Sequence, residues 1–315
     1  MIYNFSTMSK EETGNPNPKF EKIFKNVLTK ESVYEFFLKT QSSLKRELQK
    51  NNNSLEFLSL LNYAIKHLKQ FNEKESINSL LNYSLEQYTQ KNKKIPENIT
   101  KQQFVSGFMD AFSIELDLPV NNFRMKFLYY CKKNDIDEKL LRLYKCYDIF
   151  TKESIISKEY TEAYKYSILS ENVNCLFELF DLLEKYCKDK TLLNKEDPFN
   201  KGNQILRDLT QDEFDFLIMR TTFELLMKKK LDITFEFIGK YYKKLNKDKG
   251  NENKNIAINF SYSLVCLLIR EPKGFDHFWA LINLYKGIIE RQYDIQFYLN
   301  KISIIYYNKP FLSTK

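Results

Sequence analysis

Acid–base chemistry near neutral pH usually depends on histidine, and this chain has only two. His67 and His277 stand more than two hundred residues apart, and neither has cysteine or carboxylate neighbours at the spacing of a metal site. His67 falls within a predicted helix. We interpret it as a partly exposed surface residue and not as a general base.

The other motifs of catalysis are missing from the sequence as well. It contains no Gly-x-x-x-x-Gly-Lys-Ser/Thr loop for phosphate and no Gly-x-Ser-x-Gly turn for a nucleophile. Adjacent carboxylates occur at Glu11-Glu12 and Asp212-Glu213, but neighbouring residues point about 100° apart on a helix, as surface charges do. We therefore expect no catalytic residue, no metal and no cofactor, and the sequence favours a binding protein.

The five cysteines are an odd number and lie far apart, mostly among apolar neighbours. This pattern predicts free, buried thiols in place of disulfides or metal ligands. The cysteines are Cys131, Cys146, Cys175, Cys187 and Cys266.

The net charge of +8 comes mainly from lysine, because the chain has only seven arginines. Base recognition and phosphate clamping favour arginine, so nucleic-acid binding is weakly supported. An acidic protein or an anionic membrane surface would suit the excess of lysine equally well. No apolar run approaches the roughly 20 residues of a membrane span, and no secretory signal precedes residue 19, so we expect a cytosolic protein.

Seven glycines and seven prolines in 315 residues leave few turn signals, which indicates an all-α fold. Apolar residues recur with the helical period in about fourteen segments. The segments are 19–29, 31–50, 53–71, 75–91, 99–117, 121–133, 136–151, 157–169, 172–188, 210–230, 231–246, 255–270, 275–290 and 292–308.

Cap residues support several of these starts. Ser54 precedes an apolar helical run, and Thr210 and Glu213 have the spacing of a capping box. Successive helices joined by short links predict a right-handed solenoid of antiparallel, tetratricopeptide-like pairs, in which each pair buries its apolar face against the next.

Composition divides the chain into five parts. Residues 1–18 are predicted to be disordered, 19–188 to form an N-terminal helical half, and 210–308 a C-terminal one. The connecting loop 189–209 is either a bend or an insertion, and 309–315 is a tail. A second polar loop, 246–255, lacks apolar side chains to pack.

Aromatic residues make up 15% of the chain and recur at helical spacing, which favours packing between helices. Phe or Tyr alternating with Lys could also stack single-stranded RNA, although no base-facing position repeats from pair to pair.

The clearest pattern lies near the C-terminus. It reads Phe278-x-x-Leu281-x-x-x-Tyr285-x-x-x-Ile289-x-Arg291 and then Tyr298-Leu299-x-x-Ile302, after Asn259-Phe260 and Leu267-Leu268. This order resembles the C-terminal helices of the Golgi-to-ER traffic protein four family. From the resemblance we expect Phe278, Leu281, Tyr285, Tyr298 and Leu299 to be mostly core.

Weaker similarity extends over most of 33–308. It includes Val33-Tyr34-Glu35-Phe36, Arg46, Ala64, Leu85-Glu86 and Glu162-Ala163-x-Lys165-Tyr166-x-x-Leu169. The chain departs from the family at Ser79, where the family carries Asp, and at Ser303 and Asn308, where it carries Gly. The polar 246–255 loop replaces a β-hairpin of fungal members.

The resemblance implies an all-helical adaptor that passes tail-anchored membrane proteins to a targeting ATPase for insertion into the ER membrane. The N-terminal helices would dock the ATP-loaded ATPase, with Tyr34, Glu35 and Arg46 on or beside that surface. The C-terminal helices would hold a ubiquitin-like or chaperone-scaffold subunit, through residues near 255–290 that the family pattern does not identify.

Other helical-repeat scaffolds are the alternatives. They are a tetratricopeptide-type or proteasome-lid-type subunit and, third, an RNA-binding repeat protein. The identity of the C-terminal partner, the oligomeric state and the nucleotide dependence of ATPase binding are left open by the sequence.

Overall fold

A computed structural model of the chain describes residues 33–50, 54–112, 121–188, 209–247, 255–271, 274–290 and 293–311. Every regular element in these ranges is an α-helix, so the all-α prediction is confirmed for the described part of the chain. The helices pack with their neighbours in pairs, as in a helical repeat.

The described residues divide into two compact units, one ending at Ile149 and the other beginning at Phe150. The first unit contains six complete helices in its described part. They are α1 Val33–Gln49, α2 Ser54–Gln70, α3 Lys74–Lys91, α4 Lys101–Phe112, α5 Asn121–Lys133 and α6 Glu138–Leu143.

The division falls within α7, and the second unit contains the helices that follow. These are α7 Cys146–Ile156, α8 Tyr160–Ser170, α9 Val173–Lys188, α10 Gln211–Met227, α11 Leu231–Lys247, α12 Ile256–Arg270, α13 Phe275–Leu284, α14 Lys286–Ile289 and α15 Tyr293–Tyr307. The predicted helix 19–29, the connecting loop up to residue 208 and most of the 246–255 loop lie outside the described residues.

Two predicted helices are each divided in the structure. Segment 136–151 forms α6 and α7, because Lys145 adopts a left-handed φ of 54° between them. Segment 275–290 forms α13 and α14, which meet at Tyr285. Apolar periodicity continues through both breaks, so the pattern alone does not reveal them.

In the first unit α1 and α2 contact the next helix, and contacts between each helix and the second one after it continue along the unit. Helix α1 packs on α2 and α3, α2 packs on α3 and α4, and α3 packs on α5. The aromatic core of this unit centres on Phe104, whose ring lies 5.2 Å from Phe108, 5.5 Å from Tyr88 and 5.8 Å from Phe127.

Helix α10 is the central element of the second unit, since it contacts α8, α9, α11, α12 and α15. It begins with the predicted capping box. The Thr210 hydroxyl accepts a hydrogen bond from the Glu213 backbone amide, and the Glu213 carboxylate accepts one from the Thr210 amide at 2.8 Å. Ser54, by contrast, is the first residue of α2 and not its cap.

A polar contact within this core joins three helices. The Glu224 carboxylate of α10 accepts hydrogen bonds from the Tyr164 hydroxyl of α8 at 3.1 Å and from the Tyr298 hydroxyl of α15 at 3.2 Å. Arg220 donates to the same carboxylate at 3.0 Å and supplies the compensating charge. Tyr298 is therefore a half-buried residue that orients α15 on α10.

Candidate protein-binding surfaces

Helix α1 buries one side and exposes the other. Residues at the core-facing positions include Phe36, Leu44 and Glu47, all buried. On a helical wheel of about 100° per residue the exposed side chains occupy one continuous arc of roughly 140°. Tyr34, Glu35 and Arg46, the three residues that the family resemblance selected, all lie on this exposed arc.

The arc has an apolar edge and a charged edge. Tyr34 is 71% exposed and Leu38, one turn later, is 43% exposed. Glu35 and Arg46 lie about 20° apart around the helix and about 16 Å apart along it. The resemblance did not indicate Leu38, but it could have been found in the sequence as an apolar residue on the polar side of the wheel.

The two charges on this helix differ in their availability to a partner. The Glu35 carboxylate pairs with Lys39 Nζ at 2.6 Å. Arg46 has no ion pair with any described residue, and it lies in the last turn of α1, where a cation interacts favourably with the helix dipole. Arg46 is therefore the charge that a docking protein would meet.

A groove of about 620 Å³ runs between α2 and α4. Its floor is formed by Leu58 and Gly107, and the Asn62 side-chain amide donates to the Gly107 carbonyl oxygen at 2.9 Å. On its rim Asp110 has a pKa raised by burial, an effect that the nearby Lys66 partly offsets. The groove is open to solvent and is lined by both polar and apolar side chains.

A second cavity of about 390 Å³ lies among α9, α10, α11 and α12. Burial raises the pKa of Asp215, although hydrogen bonds from Gln211 at 2.9 Å and from Asn255 oppose that shift. Burial acts in the same direction on Glu184, but hydrogen bonds from Lys188 and Lys244 outweigh it and leave the pKa lowered. Both carboxylates thus join neighbouring helices and already have their partners.

His67 lies among aromatic rings. Its ring centroid is 5.1 Å from Phe36, 5.8 Å from Tyr63 and 5.9 Å from Phe71. Burial lowers its pKa, and its Nε2 has no hydrogen-bond partner among the described residues. His277 contacts Glu271 at the surface. His67 is therefore half-buried and packs against three aromatic rings. The sequence predicted a partly exposed surface residue.

The five thiols are free, and Cys131, Cys146 and Cys175 are buried. Burial raises the pKa of Cys146 to about 12, so its thiol stays protonated at neutral pH. Cys187 and Cys266 are half-buried. Within the described ranges no group of three or more His, Cys, Asp or Glu residues is arranged to hold a metal ion.

The C-terminal residue pattern is partly core. Phe278 and Leu299 are buried, as predicted, and Leu281, Tyr285 and Tyr298 are half-buried and pack against the core. Ser303 is also buried, and its hydroxyl donates to the Lys309 carbonyl oxygen. Asn308 adopts a left-handed φ of 54°, a conformation that Gly or Asn accommodates best. Arg291 lies outside the described residues.

A half-buried aromatic stack with an exposed edge at Phe235 joins α11 and α12. Tyr242 and Tyr262 stack face to face with their centroids 3.8 Å apart, and Phe235 lies 6.1 Å from Tyr262. Ile269 extends this apolar area along α12. On α13, Trp279 is also exposed, and Leu284 at the end of that helix is 78% exposed.

Comparison of the sequence with protein-family models and with curated proteins finds no match. The resemblance to the Golgi-to-ER traffic protein four family therefore stays a prediction. None of the described helices combines the length and the apolar character needed to cross a membrane.

Proposed function

We propose that this chain is a non-catalytic cytosolic adaptor that helps deliver tail-anchored membrane proteins to a targeting ATPase for insertion into the ER membrane. In this proposal its helices form a right-handed solenoid of antiparallel pairs. The N-terminal helical half, 19–188, docks the ATP-loaded ATPase, and the C-terminal half, 210–308, holds a ubiquitin-like or chaperone-scaffold subunit. The chain itself binds no cofactor.

The observation that carries the proposal is the exposure of Tyr34, Glu35 and Arg46 on one side of α1. The family resemblance indicates the same three residues from sequence alone. A large aromatic side chain that is 71% exposed and an arginine without an ion pair among the described residues contribute little to a monomer's stability. Both residue types are enriched where proteins bind each other.

The surface of the second unit supports the other half of the proposal. The 255–290 region predicted to contact the second partner contains Tyr262, Ile269, Trp279 and Leu284, all at least partly exposed. Because such side chains favour burial against a partner, this surface is suited to a protein with an apolar patch of its own.

Arg46→Glu tests the proposed ATPase surface. We expect this charge reversal to weaken binding of the purified, ATP-loaded targeting ATPase by about tenfold at low salt, mainly through slower association. The matched control is Lys228→Glu, because Lys228 is an exposed lysine of the second unit and does not lie on the exposed arc of α1. Association and dissociation rates are measured by surface plasmon resonance.

Equal losses in Arg46→Glu and Lys228→Glu would show that only the overall charge matters, and an unchanged affinity in Arg46→Glu would remove this surface from the proposal. Melting temperatures followed by circular dichroism show whether both variants keep their fold. Affinity purification of the full chain from its own cells adds an independent test. Recovery of an ATPase together with a ubiquitin-like protein supports the adaptor, whereas proteasome subunits or ribonucleoproteins alone contradict it.

A further inference from the structure

In the described part of the first unit, five lysines without an ion pair lie at or just after the C-terminal ends of α3 and α5. Helix α3 ends at Lys91 and is followed by Lys93 and Lys94, while α5 ends with Lys132 and Lys133. We call these five residues the lysine tip. All five are exposed, and none forms an ion pair with a described residue.

Three hydrogen bonds hold the two lysine segments side by side. The Tyr130 hydroxyl donates to the Asn92 carbonyl oxygen at 2.8 Å, and the Ile95 amide donates to Asn134 Oδ1 at 2.9 Å. Lys101 Nζ donates to the Asp135 carbonyl oxygen at 2.7 Å. These contacts join residues 34 to 39 positions apart, so charges distant in the sequence are held together before any partner arrives.

Part of this charge has a structural explanation. Lysines in the last turn of a helix interact favourably with the helix dipole, which accounts for Lys91, Lys132 and Lys133. Lys93 and Lys94 follow the end of α3, and they add repulsion to a region that is already positive. The fold keeps these like charges close to each other. A binding partner of opposite charge would lower the repulsion between them.

Fewer carboxylates than lysines lie near the tip, and two of these carboxylates already have partners. Asp137 caps α6 by accepting a hydrogen bond from the Lys139 amide at 3.0 Å, and Glu138 lies 3.5 Å from Arg142. Glu97 and Asp135 are the remaining acidic residues of the neighbouring segments. The lysines of the tip therefore carry more positive charge than these carboxylates can neutralise.

Residues beside the tip indicate which anionic partner fits it. Tyr129 lies one turn before Lys132 and Lys133, is 70% exposed, and offers a ring and a hydroxyl to a protein surface. The segments 91–94 and 132–135 contain no apolar side chain that would enter a lipid bilayer. They also contain no arginine, the residue that nucleic-acid phosphates and base edges favour.

We infer that the lysine tip is a docking site for an acidic segment of a partner protein, with Tyr129 contacting an apolar residue beside the acidic ones. This inference does not rest on the proposed function, because it uses neither α1 nor any residue of the family resemblance. A tethered acidic segment would associate rapidly through charge attraction, and its binding would weaken as salt screens that attraction.

The test uses the full chain and a fluorescein-labelled peptide of about 20 residues, composed of aspartate, glutamate and leucine. The tip variant replaces Lys93, Lys94, Lys132 and Lys133 with Glu. The matched control makes the same change of charge in the second unit at four exposed lysines, Lys185, Lys228, Lys229 and Lys243. Fluorescence anisotropy gives the affinity of each variant.

We expect the tip variant to lose about tenfold or more in affinity while the control stays within about twofold. Tyr129→Ala should lower affinity about threefold without a change in charge. Equal losses in both charge variants would overturn the inference, because general basicity would then explain the binding. Absence of peptide binding to the wild-type chain at low salt would overturn it as well.

Two further probes separate the classes of partner. Phosphatidylserine-containing vesicles and single-stranded oligouridine are titrated against the same variants. Tip-dependent binding of either one that is tighter than binding of the peptide would assign the site to lipid or RNA and overturn the inference. A variant with Gln in place of the same four lysines repeats the comparison should the Glu variant fail to fold.

Discussion

At the scale of single residues, the structure separates side chains that share a helix into those that stabilise it and those that are available to a partner. Phe278 is fully buried, with its ring 5.2 Å from Tyr307 and 6.1 Å from Phe275. Phe297 on α15 is 53% exposed. Both phenylalanines lie in the C-terminal region, but only the first belongs to the pattern that resembles the family.

We predict that Phe278→Ala lowers the free energy of unfolding by about 3–5 kcal/mol, because it removes a buried ring and leaves a cavity. Phe297→Ala, at an exposed position, should change it by less than about 0.5 kcal/mol. Urea denaturation followed by circular dichroism measures both. Near-wild-type stability of Phe278→Ala would show that this side of α13 is not core.

His67 predicts a dependence of stability on pH. Its pKa in the folded chain is lowered from the ordinary value of 6.5 by burial among aromatic rings. Protonation therefore favours the unfolded state, and stability is lost as the pH falls below about 6.5 and through the lower folded pKa. This contribution is fully present at higher pH.

His67→Phe removes this titration and keeps a ring in the aromatic cluster. We expect the wild-type chain to lose more stability than His67→Phe when urea denaturation is compared at about pH 8 and about pH 5. Equal losses would mean that the imidazolium is accommodated, for instance by the faces of the surrounding rings.

At the scale of helices, the distance between α2 and α4 depends on a glycine. A Cβ at Gly107 would lie 2.8 Å from Leu58 Cδ1 and 3.1 Å from Leu58 Cβ. Leu58 is itself buried, so it has little room to move away. Gly239 in α11 has the opposite environment, because a Cβ there would meet nothing within 4 Å.

Replacing each glycine with alanine therefore gives opposite predictions. Gly239→Ala should raise the free energy of unfolding by about 0.5–1 kcal/mol, since alanine is the better helix former. In Gly107→Ala the clash with Leu58, at about 1–3 kcal/mol, should cancel or exceed that gain. Denaturant midpoints of the two variants test this, and equal stabilisation would show that α2 and α4 can separate without cost.

At the scale of the whole molecule, the two compact units have cores of their own. Phe104 packs in the first among Tyr88, Phe108 and Phe127. Phe223 packs in the second, 6.0 Å from both Phe260 and Tyr298. The two phenylalanines are fully buried and share no aromatic neighbour.

We expect Phe104→Ala and Phe223→Ala each to destabilise the chain by about 3–5 kcal/mol, with effects on unfolding that add to within about 0.5 kcal/mol in the double variant. Calorimetry of the single and double variants measures this. A double variant that departs clearly from additivity would show that the two cores are energetically coupled.

The sequence by itself determined the helical class and most helix bounds, because apolar periodicity and scarce glycine and proline act locally. Segments 121–133 and 172–188 match α5 and α9 to within one residue, and the Thr210 capping box is as predicted. The breaks at Lys145 and Tyr285 were missed, since a left-handed residue or a bend between helices leaves the period of apolar residues unchanged.

Only the tertiary structure decided which residues meet and which face solvent. The lysine tip, joined through Tyr130 and Asn134, and the Glu224 contact of three helices combine residues from different elements. The exposure of Arg46 on α1 depends on which side of that helix its neighbours cover. Helical periodicity specifies which side of each helix is apolar. Which apolar sides pack against each other is decided by contacts between segments that are distant in the sequence. The lysine tip and the Glu224 contact are therefore properties of the fold that no single segment encodes.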